Sequence, residues 1–280
     1  MILSNYHTHT TLSDGISTIL EYIDAALAKG FRALGFSEHG YVPFEGLYCG
    51  MSLVDAIEYR DTINKAKSDY AERLNIYFGL ENDSVNMLPT ADYDYTIGSV
   101  HCIKCGEKYS SIDSDSAIAA RAVADEFGGD GLAYAEAYYD AVLDFASIKR
   151  ADILGHIDLV RRFNKADADD GSGAAYNFFD EGGAGYQSVA SAALERAIRS
   201  GYIIEVNTSP ISKGFSDEPY PARFLLEQAR EMDARIIVSS DAHIAANLGF
   251  AFDKVETLLR EIGFKERWEL TPIGFQPVSL

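Results

Sequence analysis

With 280 residues, 47% of them hydrophobic and no apolar run near the length of a membrane span, the chain has a globular composition, large enough for one α/β barrel or two small domains. Its 43 acidic residues outweigh 24 basic ones, for a net charge of -19. That field repels polyanions and argues against a nucleic-acid partner, while a small anion can still bind where metal ions reverse the local potential.

The first residues carry no basic region followed by an apolar stretch, so no signal peptide is expected. Cys49, Cys102 and Cys105 form no disulfide framework and fit a reducing cytoplasm. Cys102 and Cys105 make one C-x-x-C without a second pair, short of the four ligands of a structural zinc, and read as incidental thiols.

Along the chain, a short apolar strand, a polar or Gly-rich corner and an amphipathic helix recur. Strands are expected over Ile2–His7, Ala33–Ser37, Asn75–Leu80, Tyr95–Val100, Asp152–Gly155, Tyr202–Val206 and Arg235–Ser239, with the β-branched and aromatic content of buried parallel strands. The first helix keeps Ile16, Ile19, Leu20, Ile23 and Leu27 on one face and stops at Gly30. Further helices are expected over Leu53–Arg73, Ser116–Phe127, Leu132–Lys149, Ser188–Ser200, Pro221–Asp233 and Phe252–Ile262. Short connections between alternating elements point to a parallel sheet closed or nearly closed into a barrel, with seven strands rather than the usual eight. Asn164–Gln187 interrupts the pattern. Its Asp cluster lacks calcium-loop spacing, because Gly171 and Phe178 stand at ligand positions, so it reads as a loop partly covering a site.

The six histidines all fall at expected strand ends. His7 and His9 close the first strand; alternate residues of a strand share a face, so both can grip one ion. His39 ends the second strand in "ALGFSEHG", His101 ends "YTIGSVH", His156 ends "DILGH", and His243 follows the seventh strand in "RIIVSSDAH". Asp14, Glu81 and Asp241 occupy matching positions. In a parallel barrel all strand C-termini open on one face, which carries the chemistry. Nine candidate ligands exceed the needs of one catalytic ion, which takes three protein groups, whereas two or three ions sharing a bridging carboxylate use them all. Such a centre generates a metal-bridging hydroxide and holds phosphoryl oxygens, which favours phosphate ester hydrolysis. Neither His-Glu-x-x-His, Gly-x-Ser-x-Gly nor a P-loop motif occurs.

The segments "HTHTTLSDG", "GFSEHG", "GLENDSV", "IGSVH", "GHIDLVRRF", "EVNTSP", "EPYPA" and "SSDAH" run in order from Asn5 to His243. In this the chain resembles the PHP (polymerase and histidinol phosphatase) superfamily, above all its histidinol-phosphate phosphatase branch. The resemblance implies a single domain over residues 1–280, a distorted (β/α)7 TIM-like barrel with three divalent zinc, iron or manganese ions at the C-terminal ends of the strands. It implies that His7, His9 and Asp241 hold one ion, that Glu81 bridges it to a second on His101 and His156, and that Asp14, His39 and His243 hold a third. Some relatives carry histidine where this chain has Asp14.

The implied activity is a cytoplasmic histidinol-phosphatase of histidine biosynthesis, releasing phosphate from L-histidinol phosphate. Glu81, Asp241 and His243 are its implied catalytic residues, with Asp241 or His243 as proton relay to the leaving alkoxide. Arg161 and Arg162 are candidate phosphate contacts by charge-assisted bonds. Lys213 is a third, in "NTSPISKG", where many relatives have a basic pair after "NTSG". Another phosphoesterase of the same superfamily, acting on phosphotyrosine or a small nucleotide, is the alternative. A nuclease is disfavoured by the charge, and an inactive metal-binding subunit by the complete ligand set. No membrane partner is expected, and the sequence sets no oligomeric state.

Overall fold

The computed structural model describes residues 1–42, 50–148, 150–166 and 175–280. Seven strands form one parallel sheet: β1 (Ser4–Asn5), β2 (Ala33–Phe36), β3 (Asn75–Asp83), β4 (Tyr95–Ser99), β7 (Ile153–Leu154), β8 (Ile203–Asn207) and β9 (Ile236–Ser239). All neighbours pair parallel, and a parallel bridge between Thr8 and Ala242 joins the first strand to the last at the barrel mouth. All seven expected strands are present. The first is shorter than its apolar run, because β1 ladders with β2 only at Ser4 and Asn5.

Helices α1 (Ile19–Ala28), α2 (Leu53–Asp69), α3 (Ser116–Arg121), α4 (Gly131–Ser147), α5 (Ala184–Arg199), α7 (Arg223–Glu231) and α8 (Phe252–Ile262) accompany the strands. Thr18 with Glu21, and Ser52 with Asp55, close reciprocal capping boxes that start α1 and α2. The expected Ser116–Phe127 helix turns into a π-helical segment at Ala122–Glu126. Helix α5 begins at Ala184, within the stretch expected to be loop. A one-turn helix, α6 (Ser209–Ser212), follows β8.

Two antiparallel hairpins were not expected from the sequence. One is β5 (Cys102–Cys105) with β6 (Lys108–Ser111); the other is β10 (Glu266–Thr271) with β11 (Gly274–Ser279). Cys102 and Cys105 are buried free thiols three residues apart on β5, and Cys49 lies outside the described residues. Residues 167–174 of the expected loop also lie outside them.

Inside the barrel, alternation along each strand sets a vertical order. At the floor Tyr6, Ala33, Tyr77, Tyr95, Ile97, Ile153, Ile203 and Ile237 pack with Leu270 of the C-terminal hairpin. Tyr95 crosses the barrel, and its hydroxyl reaches the carbonyls of Tyr6 and Phe36 at 2.5 and 2.9 Å. Gly35 and Gly79 make room for it: a Cβ on either would lie 2.4 or 2.2 Å from the Tyr95 side chain. Above the floor the inward positions become polar, with Ser37 and His39 after β2, Glu81 and Asp83 on β3, Ser99 and His101 at β4, Glu205 and Asn207 on β8, and Ser239 and Asp241 at β9. The sheet thus converts period-two alternation into a dry base and a polar mouth.

Candidate metal centre

Glu81 stands at the centre of the mouth, fully buried. Its Oε2 lies 3.2 Å from His7 Nε2, 3.3 Å from His9 Nε2 and 2.9 Å from His39 Nδ1. Its Oε1 lies 3.3 Å from His101 Nε2 and 3.0 Å from His156 Nε2, and accepts the Ser99 hydroxyl at 2.6 Å. One carboxylate thereby faces five imidazoles, three on one oxygen and two on the other.

Asp241 Oδ1 lies 3.7 Å from His7 Nε2 and 3.4 Å from His9 Nε2. Its left-handed backbone (φ 46°) turns the chain sharply after β9, and His243 returns to the mouth two residues later. Asp14 lies 3.5 Å from His39 Nε2 and 3.3 Å from His243 Nε2. All nine candidate ligands therefore gather at one end of the barrel. His39 sits nearer Glu81 than Asp14, at the divide between two clusters.

Four overlapping groups bring ligand atoms within 4.8 Å of one another: His9, Asp14, His39 and His243; His7, His156 and Asp241; His7, His9 and Glu81; His39, Glu81 and His101. Ligands about 2 Å from a shared ion stand roughly 3 Å apart, the spacing found here. His7 Nε2, both ring nitrogens of His9, and Glu81 Oε2 are buried without a hydrogen-bond partner despite their close approach. Buried polar atoms are normally satisfied. Lone pairs converging without hydrogen-bond geometry fit divalent cations, and the N,O donor set suits zinc, iron or manganese.

The electrostatics agree. Burial opposes charge on His7, yet Glu205, Glu81 and Asp241 hold its pKa well above the ordinary histidine value. Burial likewise opposes charge on His39, but Glu81 and Asp14 bring it to about 10. His9 drops to about 3, through burial and then the neighbouring His39 and His243. Against burial, Glu81 is held well below the carboxylate range by His7, His39 and His101, and Asp241 by Lys213 and His7. Without metal, protons stand in for cations, so metal binding here releases protons.

A second ring of carboxylates, not singled out in the sequence, orients the imidazoles. Glu205 accepts from His7 Nδ1 at 2.5 Å, from the His156 amide at 2.8 Å, from Asn207 Nδ2 at 3.0 Å and from the Ser239 hydroxyl. Asp83 accepts from His101 Nδ1 at 2.9 Å. The signal that could have found both is register: each lies on the inward alternation of its strand.

The two adjacent arginines differ. Arg161 donates to Glu181 at 2.8 Å and Asp158 at 3.0 Å, with its side chain 7% exposed. Arg162 lies between Phe163 and Phe215, 5.3 and 5.0 Å from their ring centres. Its Nη1 is 3.6 Å from Asp113, and its buried Nε has no partner. Asp113 is held low, against burial, by His101 and then Arg162, which ties this arginine to the rim of the cluster. Lys213 caps α6, and its charge acts on Asp241.

A sequence profile of the PHP domain matches residues 5–209. The chain belongs to the PHP domain family. It is 29% identical over 273 residues to a "Probable histidinol-phosphatase" of Deinococcus radiodurans, covering 93% of this chain and 94% of that protein. A histidinol-phosphatase of Bacillus subtilis is 24% identical over 268 residues, 88% of this chain and 96% of its own length. Among solved structures, the histidinol phosphate phosphatase of Lactococcus lactis superposes with a TM-score of 0.73 at 20% identity, covering 98% of each chain. That protein was crystallised with zinc, L-histidinol and phosphate. The fold is thus that of a PHP-type distorted TIM-like barrel. No helix among the described residues is long and apolar enough to cross a membrane.

Proposed function

We propose that the chain is a metal-dependent phosphomonoesterase that hydrolyses L-histidinol phosphate to L-histidinol and phosphate in the cytoplasm, using three divalent ions of zinc, iron or manganese. The observation that carries this reading is Glu81, whose two oxygens face separate sets of histidines, as a carboxylate shared between ions requires. The substrate follows from the relatives, which match nearly the whole chain and bear the histidinol-phosphatase name.

His7, His9 and Asp241 hold one ion with Glu81; His101 and His156 hold a second; Asp14, His39 and His243 hold the third. When bound, the ions supply positive charge to the phosphoryl group and make hydroxide available at neutral pH. Arg162 supplies the phosphate contact, since its guanidinium is part-exposed at the rim and only loosely paired with Asp113 at 3.6 Å, which leaves a charge-assisted donor for the ester. Arg161, already engaged by two carboxylates, shapes the wall instead. Lys213 adds positive charge on the Asp241 side. His243 Nδ1 lies 3.6 Å from Asp241, and its side chain is 25% exposed, which suits this pair to protonate the departing alkoxide.

The test is a substrate panel on metal-loaded protein, with L-histidinol phosphate beside phosphotyrosine and nucleoside monophosphates. A clear preference for L-histidinol phosphate is expected; negligible preference defeats the substrate assignment and favours another phosphoesterase of the family. His9→Ala should abolish turnover while leaving the fold, and undiminished turnover would place the chemistry elsewhere.

A further inference from the structure

We infer that Glu38 is a positioning residue for Asp14, and through it for the ion on the Asp14–His39–His243 side; this rests on the metal-cluster reading above. Ser37 and His39 face the barrel interior, so Glu38 lies on the opposite side of the chain. It is fully buried there, and its carboxylate accepts the Thr10 amide at 2.9 and 3.1 Å and the Ser13 hydroxyl. Its own backbone is fixed, because the Glu81 amide donates to the Glu38 carbonyl at 3.1 Å.

The loop it holds is the one that carries Asp14. Within that loop the amides of Ser13 and Gly15 return to the Thr10 carbonyl at 3.1 and 2.9 Å, and the Leu12 amide reaches Thr10 Oγ1 at 3.3 Å. The turn is therefore built around Thr10, and Thr10 is held by Glu38. Gly15 folds so tightly on the strand end that a Cβ would lie 2.1 Å from the His9 carbonyl oxygen. Asp14 has little else to fix it: besides the imidazoles of His9, His39 and His243 its carboxylate meets, among the described residues, only the Ser13 hydroxyl at 3.5 Å, the same hydroxyl that Glu38 holds, and two residues on the Ile16 amide ties the loop to the His243 carbonyl at 2.8 Å. Glu38 and His39 thus act on the same ion from two sides of one strand end, His39 as ligand and Glu38 as the anchor of the opposing ligand. Removing the Glu38 carboxylate strands a buried amide and releases the Asp14 turn, while the group of His7, His156 and Asp241 keeps its geometry.

The experiment is zinc retention by elemental analysis after dialysis against graded chelator, on the full-length wild type and on E38A, E38Q, S13A and D14A. E38A should lose one class of ion at about tenfold lower chelator than wild type, a loss of the size expected when support for a ligand is removed. It should then retain the same number of ions as D14A. E38Q keeps an acceptor for the Thr10 amide and should restore most of the retention. S13A removes one of the two anchors together with the long Ser13–Asp14 contact and should fall between E38A and wild type; read beside E38Q, which leaves that contact in place, it decides the matter if E38A does not fold. Wild-type-like retention in E38A, or in S13A if E38A is lost, overturns this inference alone, as does simultaneous loss of every ion in E38A and E38Q. A wild type that takes up no metal overturns both this inference and the metal-cluster reading.

Discussion

Glu205 meets His7 Nδ1 at 2.5 Å from behind, leaving Nε2 as the nitrogen that faces Glu81 and Asp241. A carboxylate in this position fixes the imidazole's tautomer and orientation and raises its basicity. Glu205→Ala should weaken metal affinity by about 10–100-fold. Competition against a chromophoric chelator measures this, and unchanged affinity would remove Glu205 from the centre.

Arg161 and Arg162 should separate by the quantity they change. Arg161→Ala leaves Asp158 buried without its cation, at a cost of about 3–5 kcal/mol in stability. Arg162→Ala should cost less stability, about 1–2 kcal/mol for its place between two rings and beside Asp113, but raise KM for the phosphate ester roughly tenfold or more, a charged hydrogen bond being worth about 1.5–3 kcal/mol. Urea melts alongside steady-state kinetics read both, and the reverse pattern would exchange their roles.

Glu181 gives the fold an acid-sensitive brace. Partial burial works against its charge, but Arg161, Asn164 and Lys165 hold its carboxyl below the usual range. Between that lowered value and the unfolded value near 4.3, the unfolded chain binds a proton that the folded one refuses, so stability rises with pH. The contribution is complete above the unfolded pKa and disappears as pH falls through the folded one. Wild type should therefore lose stability faster than Glu181→Gln as pH is lowered from about 6 to 3. Parallel Tm profiles would contradict this.

Leu270 is nearly buried in the barrel floor beside the Tyr6 cluster. Leu270→Ala should cost about 2–5 kcal/mol, as large-to-small changes in packed cores do. Denaturant unfolding gives the value; a loss below 1 kcal/mol would mean that the hairpin merely rests on the barrel.

Much of the site was legible because parallel strands buried on both faces read as apolar runs, and six of the seven end in a histidine or carboxylate that such a run does not need. His101 after "YTIGSV" is an example. Glu38, Asp83 and Glu205 were harder: a single carboxylate at a strand end resembles a solvated corner, and its partners lie on other strands. Adjacent arginines are identical to a pattern reader, and only the fold separates Arg161, bonded to Glu181 twenty residues on, from Arg162. The hairpin of β10 and β11 escaped notice because Pro272 and Pro277 interrupt its apolar content, as proline is tolerated only at turns and sheet edges.

The seam between first and last barrel strands runs through the chemistry. Thr8 bridges Ala242, the His9 amide donates to the Ala242 carbonyl at 2.9 Å, and Asn5 bonds Ser240 across 235 residues of sequence. During synthesis His7 and His9 emerge first and must wait for almost the entire barrel before Asp241 and His243 reach them. No nascent chain that stops short of β9 can hold the whole constellation, so the centre is completed only when the last barrel strand closes against the first.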